Sequence, residues 1–403
     1  MINIVHLYTV FDNCKTGIER YIELFTSACD KELRNHQVYF IQNTNSIFPR
    51  IEVENNCVKA LFPLPENILL KISTYWRRKY FKVIIEILTP YFTGFSEIFF
   101  HCHDLFLLDL AEEFKFQSKG KIITQMHCIP WKGYLMYNES LFNKLNQLYM
   151  NEEYGLFKKM EDSTIKYQIA DQIICLSEAA REYLVNIHQV NDGKIKIIHN
   201  GINVKKNIVD YRRKKDPIEI LYVGKITRDK GIYELLDALR IVNDKGYDFK
   251  VIIAGAISNK SRQEINSDYK KLNINILGQI SYAELQKLYK TCTIGIIPSL
   301  HEQCSYVALE MAMHGMPMIV SKIDALAEMF KHEETILYTP LVFDPDTGLN
   351  IDKDKFVKNI IYLINNENLR KKMSRNVQKL CIEKFNIDQM MDKTVTIYKS
   401  LCL

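Results

Sequence analysis

The stretch that decides the fold reads Thr293-Ile-Gly-Ile-Ile297-Pro298-Ser-Leu-His-Glu302-Gln-Cys-Ser-Tyr-Val-Ala-Leu-Glu310-Met-Ala-Met-His-Gly315-Met-Pro317-Met-Ile-Val-Ser321. Thr293–Ile297 is an apolar run closed by Pro298, which reads as a buried strand. A short loop follows, then a helix carrying Glu310, then a Gly-x-Pro turn into a second apolar run, Pro317–Ser321. This is a βαβ unit, with Glu302 at the carboxyl end of its first strand and Glu310 about two turns along its helix. In open α/β sheets that edge is where ligands bind. A carboxylate there accepts hydrogen bonds from hydroxyls, while loop N–H groups and the helix N-terminus attract an anion. Hydroxyls and an anion together describe a sugar nucleotide.

The same alternation of apolar runs and amphipathic, helix-length stretches extends along the chain, so the expected class is α/β with parallel sheets. In the first half, strands are expected at Ile2–Thr9, Val38–Gln42, Glu97–Cys102, Lys121–His127, Gln172–Leu176 and Lys196–Ile198. In the second half they are expected at Ile218–Val223, Lys250–Ala254, Ile274–Leu277, Thr293–Ile297 and Met318–Ser321. The polar stretch that ends at Pro217 reads as a linker over 206–217. It separates a domain at 1–205 from one at 218–385, and a last helix occupies 386–403.

The totals agree with two domains. The chain has 403 residues, 47% hydrophobic and 25% charged, as a soluble globular protein does. No apolar run is long enough to span a bilayer, and the start has no basic flank, so a cytoplasmic protein is expected. The ten cysteines form no C-x-x-C pair, which argues for reduced thiols rather than disulfides or zinc. A net charge of +5 suits an anionic donor or contact with the inner face of a membrane, and is too small for a nucleic-acid binder.

Two further loops bear on the donor. Gly224-Lys225-Ile-Thr-Arg-Asp-Lys230-Gly231 follows a strand and opens a helix, and two lysines five apart can both face a diphosphate. The order of a Walker A loop is absent. Together with Glu302 and Glu310, this pattern resembles the family-4 type of retaining glycosyltransferase, whose GT-B fold sets two Rossmann-like domains across a cleft. The resemblance implies that Glu302 approaches the donor sugar and Glu310 grips the nucleotide ribose. It assigns Gly224, Lys225 and Lys230 to the pyrophosphate, with Lys225 replacing an arginine and so losing its planar fork. It also implies backbone donors at Gln303, Cys304, Ser305 and Tyr306, where the family carries glycines. Cys304 has no partner base and is not expected to act as a nucleophile. Glu328 is read as a helix-terminus charge. The string His301-Glu302-Gln-Cys-Ser-Tyr306 is further similar to a bacterial subgroup encoded beside radical-SAM peptide systems, which implies a peptide acceptor.

The first half carries the matching acceptor-side elements. The loop Asp12–Gly17 opens a helix, and the resemblance places Gly17 near the phosphate. Ile122–His127 is a strand ending in a histidine, and the matching family histidine bonds a donor sugar hydroxyl. His101-Cys-His103-Asp104 is read as cleft wall or structure, because no third metal ligand lies at suitable sequence spacing. Ser177 is a helix N-cap, and His199-Asn200-Gly201 a tight turn that fixes the register of the match. Asp344-Pro-Asp346 and Asp352-Lys-Asp354 have D-x-D form but are read as loop residues. The run Tyr75–Lys82 is read as a solvated helix face rather than a membrane contact.

The expected reaction is therefore transfer of a sugar from a UDP- or GDP-linked donor to a glycan, lipid or peptide, with no cofactor, metal or nucleic acid involved. Glu302, His127 and Lys230 are the expected catalytic residues. Lys225, the Gln303–Ser305 loop and Asn203 depart from the family pattern. Those departures support the alternative of a non-catalytic scaffold that binds a sugar nucleotide or a partner. A sugar-nucleotide epimerase is the other enzymatic alternative.

Overall fold

The structure, a computed structural model, describes residues 3–9, 17–32, 37–44, 48–54, 57–63, 74–91, 98–118, 120–129, 141, 144, 145, 147, 164–204, 217–344 and 348–402. The chain divides into two α/β units. One takes Met1–Ile129, Asn146–His199 and Ile387–Leu403, the other Pro130–Leu145 and Asn200–Asn386. The linker expected over 206–217 lies, but for Pro217, outside the described residues.

The strands of the first unit are β1 (Asn3–Thr9), β2 (Gln37–Thr44), β3 (Arg50–Glu54), β4 (Cys57–Pro63), β5 (Ile98–Cys102), β6 (Lys121–Met126), β7 (Gln172–Cys175) and β8 (Ile195–Ile197). They form one sheet in the order β3-β4-β2-β1-β5-β6-β7-β8, parallel except for the antiparallel pair β3 and β4. Strands β5 and β7 are buried from end to end and β1 as far as Tyr8, which is why they read as apolar runs rather than alternating ones. Sequence reading misses β3 and β4. Arg-Ile-Glu-Val-Glu alternates charge with apolar residues, as an edge strand does, and its polar half hides the strand.

Helices α1 (Gly17–Glu32), α2 (Thr74–Leu88), α3 (Leu108–Ser118) and α4 (Glu178–Asn186) belong to this unit. Ser177 caps α4 by accepting from the N–H of Ala180. The basic aromatic run lies in α2, where Arg78 pairs with Glu112 and Glu113 of α3. Phe81 of the same run is buried, so the run is exposed on one side only.

The second unit holds β9 (Ile218–Val223), β10 (Phe249–Ala254), β11 (Ile274–Gly278), β12 (Ile294–Ile297), β13 (Met318–Ser321) and β14 (Leu337–Thr339). They make an all-parallel sheet in the order β11-β10-β9-β12-β13-β14. A hairpin of β15 (Leu341–Asp344) and β16 (Gly348–Ile351) follows. The helices are α5 (Ile232–Asp244), α6 (Asn259–Asp268), α7 (Tyr282–Thr291), α8 (Tyr306–Met313), α9 (Asp324–Met329), α10 (Lys353–Asn365) and α11 (Glu367–Lys384). The D-x-D residues are more ordered than loop positions. Asp344 ends β15, and Asp352 caps α10 by accepting from the N–H of Lys355. Asp346 lies outside the described residues. The last helix, α12 (Ile387–Ser400), packs on α1 in the first unit.

Both sheets contain a switch point, where successive crossovers leave one central strand in opposite directions. In the first unit it lies between β1 and β5, and in the second between β9 and β12. At such points the loops after the two strands diverge and leave a crevice at the carboxyl edge. The candidate site residues of the second unit stand at this edge.

One close approach there has a measurable consequence. Gly255, just past β10, has φ of +149°, and a Cβ on it would stand 1.8 Å from the Gly224 carbonyl oxygen. That neighbour is backbone and cannot swing aside. Gly255→Ala is expected to cost about 3 kcal/mol, the upper part of the range for overpacking. Urea unfolding measures it, and an unchanged midpoint would contradict the packing.

Candidate active site

The chain returns from β9 through Gly224 and Lys225 into a single 3-10 turn, Arg228–Lys230, before α5 begins. Gly231 closes that turn in the left-handed region, with φ of +66°. A Cβ on Gly231 would lie 1.9 Å from the carbonyl oxygen of Pro298, so only glycine lets this loop press against the strand end of β12. The Leu300 N–H donates to the Asp229 carbonyl at 2.9 Å and ties the two loops together. The result is an ion pair across the switch point. Lys230 Nζ donates to Glu302 Oε1 at 2.8 Å, with side chains 29% and 18% exposed. Burial disfavours the Lys230 charge, but the Glu302 carboxylate, by attraction and hydrogen bond, and then Asp229 outweigh it. The ammonium is held above its ordinary pKa and stays charged at neutral pH.

Lys225 lies on the same loop and is exposed, and its carbonyl accepts from the Tyr222 hydroxyl at 2.7 Å. Gln303, Cys304, Ser305 and Tyr306 are all buried. Ser305 caps α8, its hydroxyl accepting from the Ala308 N–H. The carbonyl of Cys304 accepts from Asn200 Nδ2 at 2.9 Å. Sequence reading gave the Asn200-Gly201 turn only a landmark role. In the structure it braces the loop between the two glutamates. Burial pushes the Cys304 thiol up to about 12, so it is no nucleophile at neutral pH.

Glu310 sits inside α8 and is only 6% exposed. Its Oε2 accepts from the hydroxyl of Tyr289, a fully buried residue of α7, at 3.0 Å. No sequence signal marks Tyr289, since it reads as one more apolar position on its helix. Glu328 is an exposed residue near the end of the short helix α9.

The first unit carries the other two predicted residues. Gly17 is the first residue of α1, and the loop before it lies outside the described residues. His127 follows β6 directly and is partly exposed. It does not stand alone. His103 Nδ1 is hydrogen-bonded to His127 Nε2 at 2.9 Å, and His103 Nε2 to His6 Nδ1 at 3.0 Å. His101 Nδ1 meets the hydroxyl of Tyr398, from α12, at 2.7 Å. The expectation that His101 and His103 lack a third ligand-type neighbour is overturned. Ligand atoms of His6, His101 and His103 lie within 4.8 Å of one another. The reason is register: β1 and β5 flank the switch point, and His6 pairs directly with His101. Linear spacing could not show this, although histidines at the ends of neighbouring strands were the available signal. Burial and mutual repulsion hold His6 and His103 well below the ordinary histidine pKa. His101 and His127 are lowered to about 3, chiefly by burial.

A basic loop, two glutamates and a capped helix thus stand at a parallel-sheet switch point, and comparison with known proteins gives the class. Residues 15–206 match the family described as Glycosyltransferase Family 4, and residues 203–380 match Glycosyl transferases group 1. The chain belongs to the GT-B glycosyltransferases built from these two domains. An uncharacterized glycosyltransferase of Methanocaldococcus jannaschii is 28% identical over 244 residues, covering 57% of this chain and 60% of that protein. The chain thus spans about 60% of the length of that curated relative. Among solved structures, sucrose-phosphate synthase from Thermosynechococcus elongatus superposes with a TM-score of 0.75 at 16% identity, covering 100% of this chain and 99% of that one. HepE of Anabaena, in complex with UDP-glucose, gives 0.69 at 12% identity, covering 99% and 100%. These likenesses concern the fold. Among the described residues no helix is long and apolar enough to cross a membrane.

Proposed function

We propose that the protein transfers a glycosyl group, with retention of configuration, from a nucleoside diphosphate sugar to a hydroxyl of a glycan, lipid or peptide. The observation that carries this reading is the Lys230–Glu302 pair across the β9/β12 switch point. On donor binding Lys230 would turn to the diphosphate, with Lys225 beside it, and Glu302 would accept from sugar hydroxyls. Glu310, set in place by Tyr289, would accept from the ribose. His127 of the first unit would bond a hydroxyl of the sugar.

The bond from the anomeric carbon to the β-phosphate oxygen breaks, and its electron pair leaves with the diphosphate. The acceptor oxygen bonds to the same face of that carbon, and its proton passes to the departing phosphate oxygen. No side-chain base is needed for that step, and in this reading no metal ion. The lysine charges and the N–H groups at the start of α8 stabilise the anion as it forms.

The test is thermal stabilisation of the full chain by UDP, GDP, ADP and their sugar conjugates, since a ligand of the native state raises the melting temperature. The expected result is a shift with one nucleotide that Lys230→Ala makes smaller. UDP is tried first, because HepE of Anabaena, which is similar in fold, has been solved in complex with UDP. No shift with any nucleotide would overturn the reading and leave a partner-binding scaffold.

A further inference from the structure

His6 and His103 have no part in the reaction as described, yet both are buried on the path that leads to His127. We propose that His103, backed by His6, is a positioning residue that holds His127 in a single tautomer, with Nε2 turned into the unit and Nδ1 left for the donor sugar. This rests on the function proposed above, which gives His127 its sugar hydroxyl.

A neutral imidazole has one nitrogen that donates and one that accepts, so a contact on one nitrogen decides what the other can do. His127 Nε2 is committed to His103, and the far nitrogen of His103 is committed to His6. The His6 and His103 rings lie 13° from coplanar with centroids 5.3 Å apart, the geometry of an in-plane hydrogen bond rather than of stacked faces. Burial keeps all three rings neutral, so each contact holds one proton and the two contacts must point the same way along the chain. Reversing the tautomer of His127 therefore requires reversing His103 and His6 as well. The surroundings leave little room for rearrangement. Tyr21 packs against His103 and His127, Phe25 packs edge-on against His6, and His101 lies beside both His6 and His103. Asp104, next in the chain, is engaged by the Thr9 N–H at 2.6 Å.

Two amide variants of His103 separate this role from simple packing. An asparagine amide reaches the position of Nδ1, and a glutamine amide reaches that of Nε2. His103→Asn can keep the contact to His127, whereas His103→Gln can keep only the one to His6. The first readout is the nitrogen NMR spectrum of His127 in the full chain, labelled at histidine. One tautomer is expected in the parent protein from about pH 8 to about pH 5, the range in which free histidine titrates. The same is expected in His103→Asn, and a mixture in His103→Gln. The second readout is affinity for UDP-glucose relative to UDP, or for the matching pair found in the nucleotide survey. His103→Gln is expected to lose roughly 10–100-fold of the sugar-dependent affinity, by analogy with metal sites where the partner orienting a ligand histidine is removed. His103→Asn is expected to stay within a few-fold of the parent.

A single tautomer persisting in His103→Gln would overturn the proposal. So would equal losses of sugar-dependent affinity in the two variants that track their melting temperatures. If His127→Ala leaves the preference for UDP-glucose over UDP intact, it is the sugar contact of His127 that fails, and the NMR readout still decides the tautomer.

Discussion

Lys230→Ala is expected to lower turnover by about a hundred- to a thousand-fold, the loss that follows removal of one preorganised donor to a developing anion. The effect should fall on kcat more than on KM, because the diphosphate gains charge only as the glycosyl bond breaks. Glu302→Gln gives a sharper signature. The carboxylate that outweighs the burial penalty on Lys230 is then gone, while the burial remains. The lysine pKa should drop, and diphosphate affinity should fall away at a lower pH than in the parent protein. Affinity for UDP measured across the alkaline range checks this. Superposable pH profiles for parent and Glu302→Gln would show that the pair does not govern the lysine's charge.

A loss of stability in mild acid is the second large effect. His6, His101, His103 and His127 all sit below the ordinary histidine pKa, the second and fourth at about 3. In the unfolded chain each regains a value near 6.5. As the pH falls through that value, the unfolded state takes up protons that the native state refuses, so stability declines. The decline continues until the native pKa is reached. Each ring removes up to about 1.4 kcal/mol per pH unit over this window. Asp104 pushes the other way, because burial raises its carboxyl pKa against the lowering bond from Thr9. Burial likewise raises the Glu234 carboxyl, but it lowers His188 and His332 too, so two carboxyls stand against six histidines. Urea midpoints should therefore fall between about pH 7.5 and about pH 5. A flat profile would mean that the native histidines take up protons in place.

The parts of this molecule that could be read from sequence are those where a local pattern and a long-range constraint coincide. The strands around both switch points were legible because burial on two faces makes them continuous apolar runs, and Thr293–Ile297 followed by Glu302 was the clearest case. The edge strand Arg50–Glu54 was not, because one polar face looks like a loop in one dimension. The same division runs through the site. Lys230 and Glu302 could be named because each follows a strand, but their direct pairing depends on Gly231 fitting under the Pro298 carbonyl. Tyr289 and His6 escaped notice, and Asn200 was read only as part of a turn, for one shared reason. Each acts through a partner 21 to 104 residues away, a distance along the chain that no local pattern spans.

The last helix has a consequence in time rather than in space. Tyr398 bonds His101, and α12 covers α1, so the first unit uses residues made after the whole of Asn200–Asn386. On the ribosome α1 is made long before α12, the helix that covers one of its faces. At ordinary synthesis rates the roughly 200 residues between His199 and Tyr398 take about 10–40 s to make. For that interval α1 lacks the cover that α12 gives it in the finished protein.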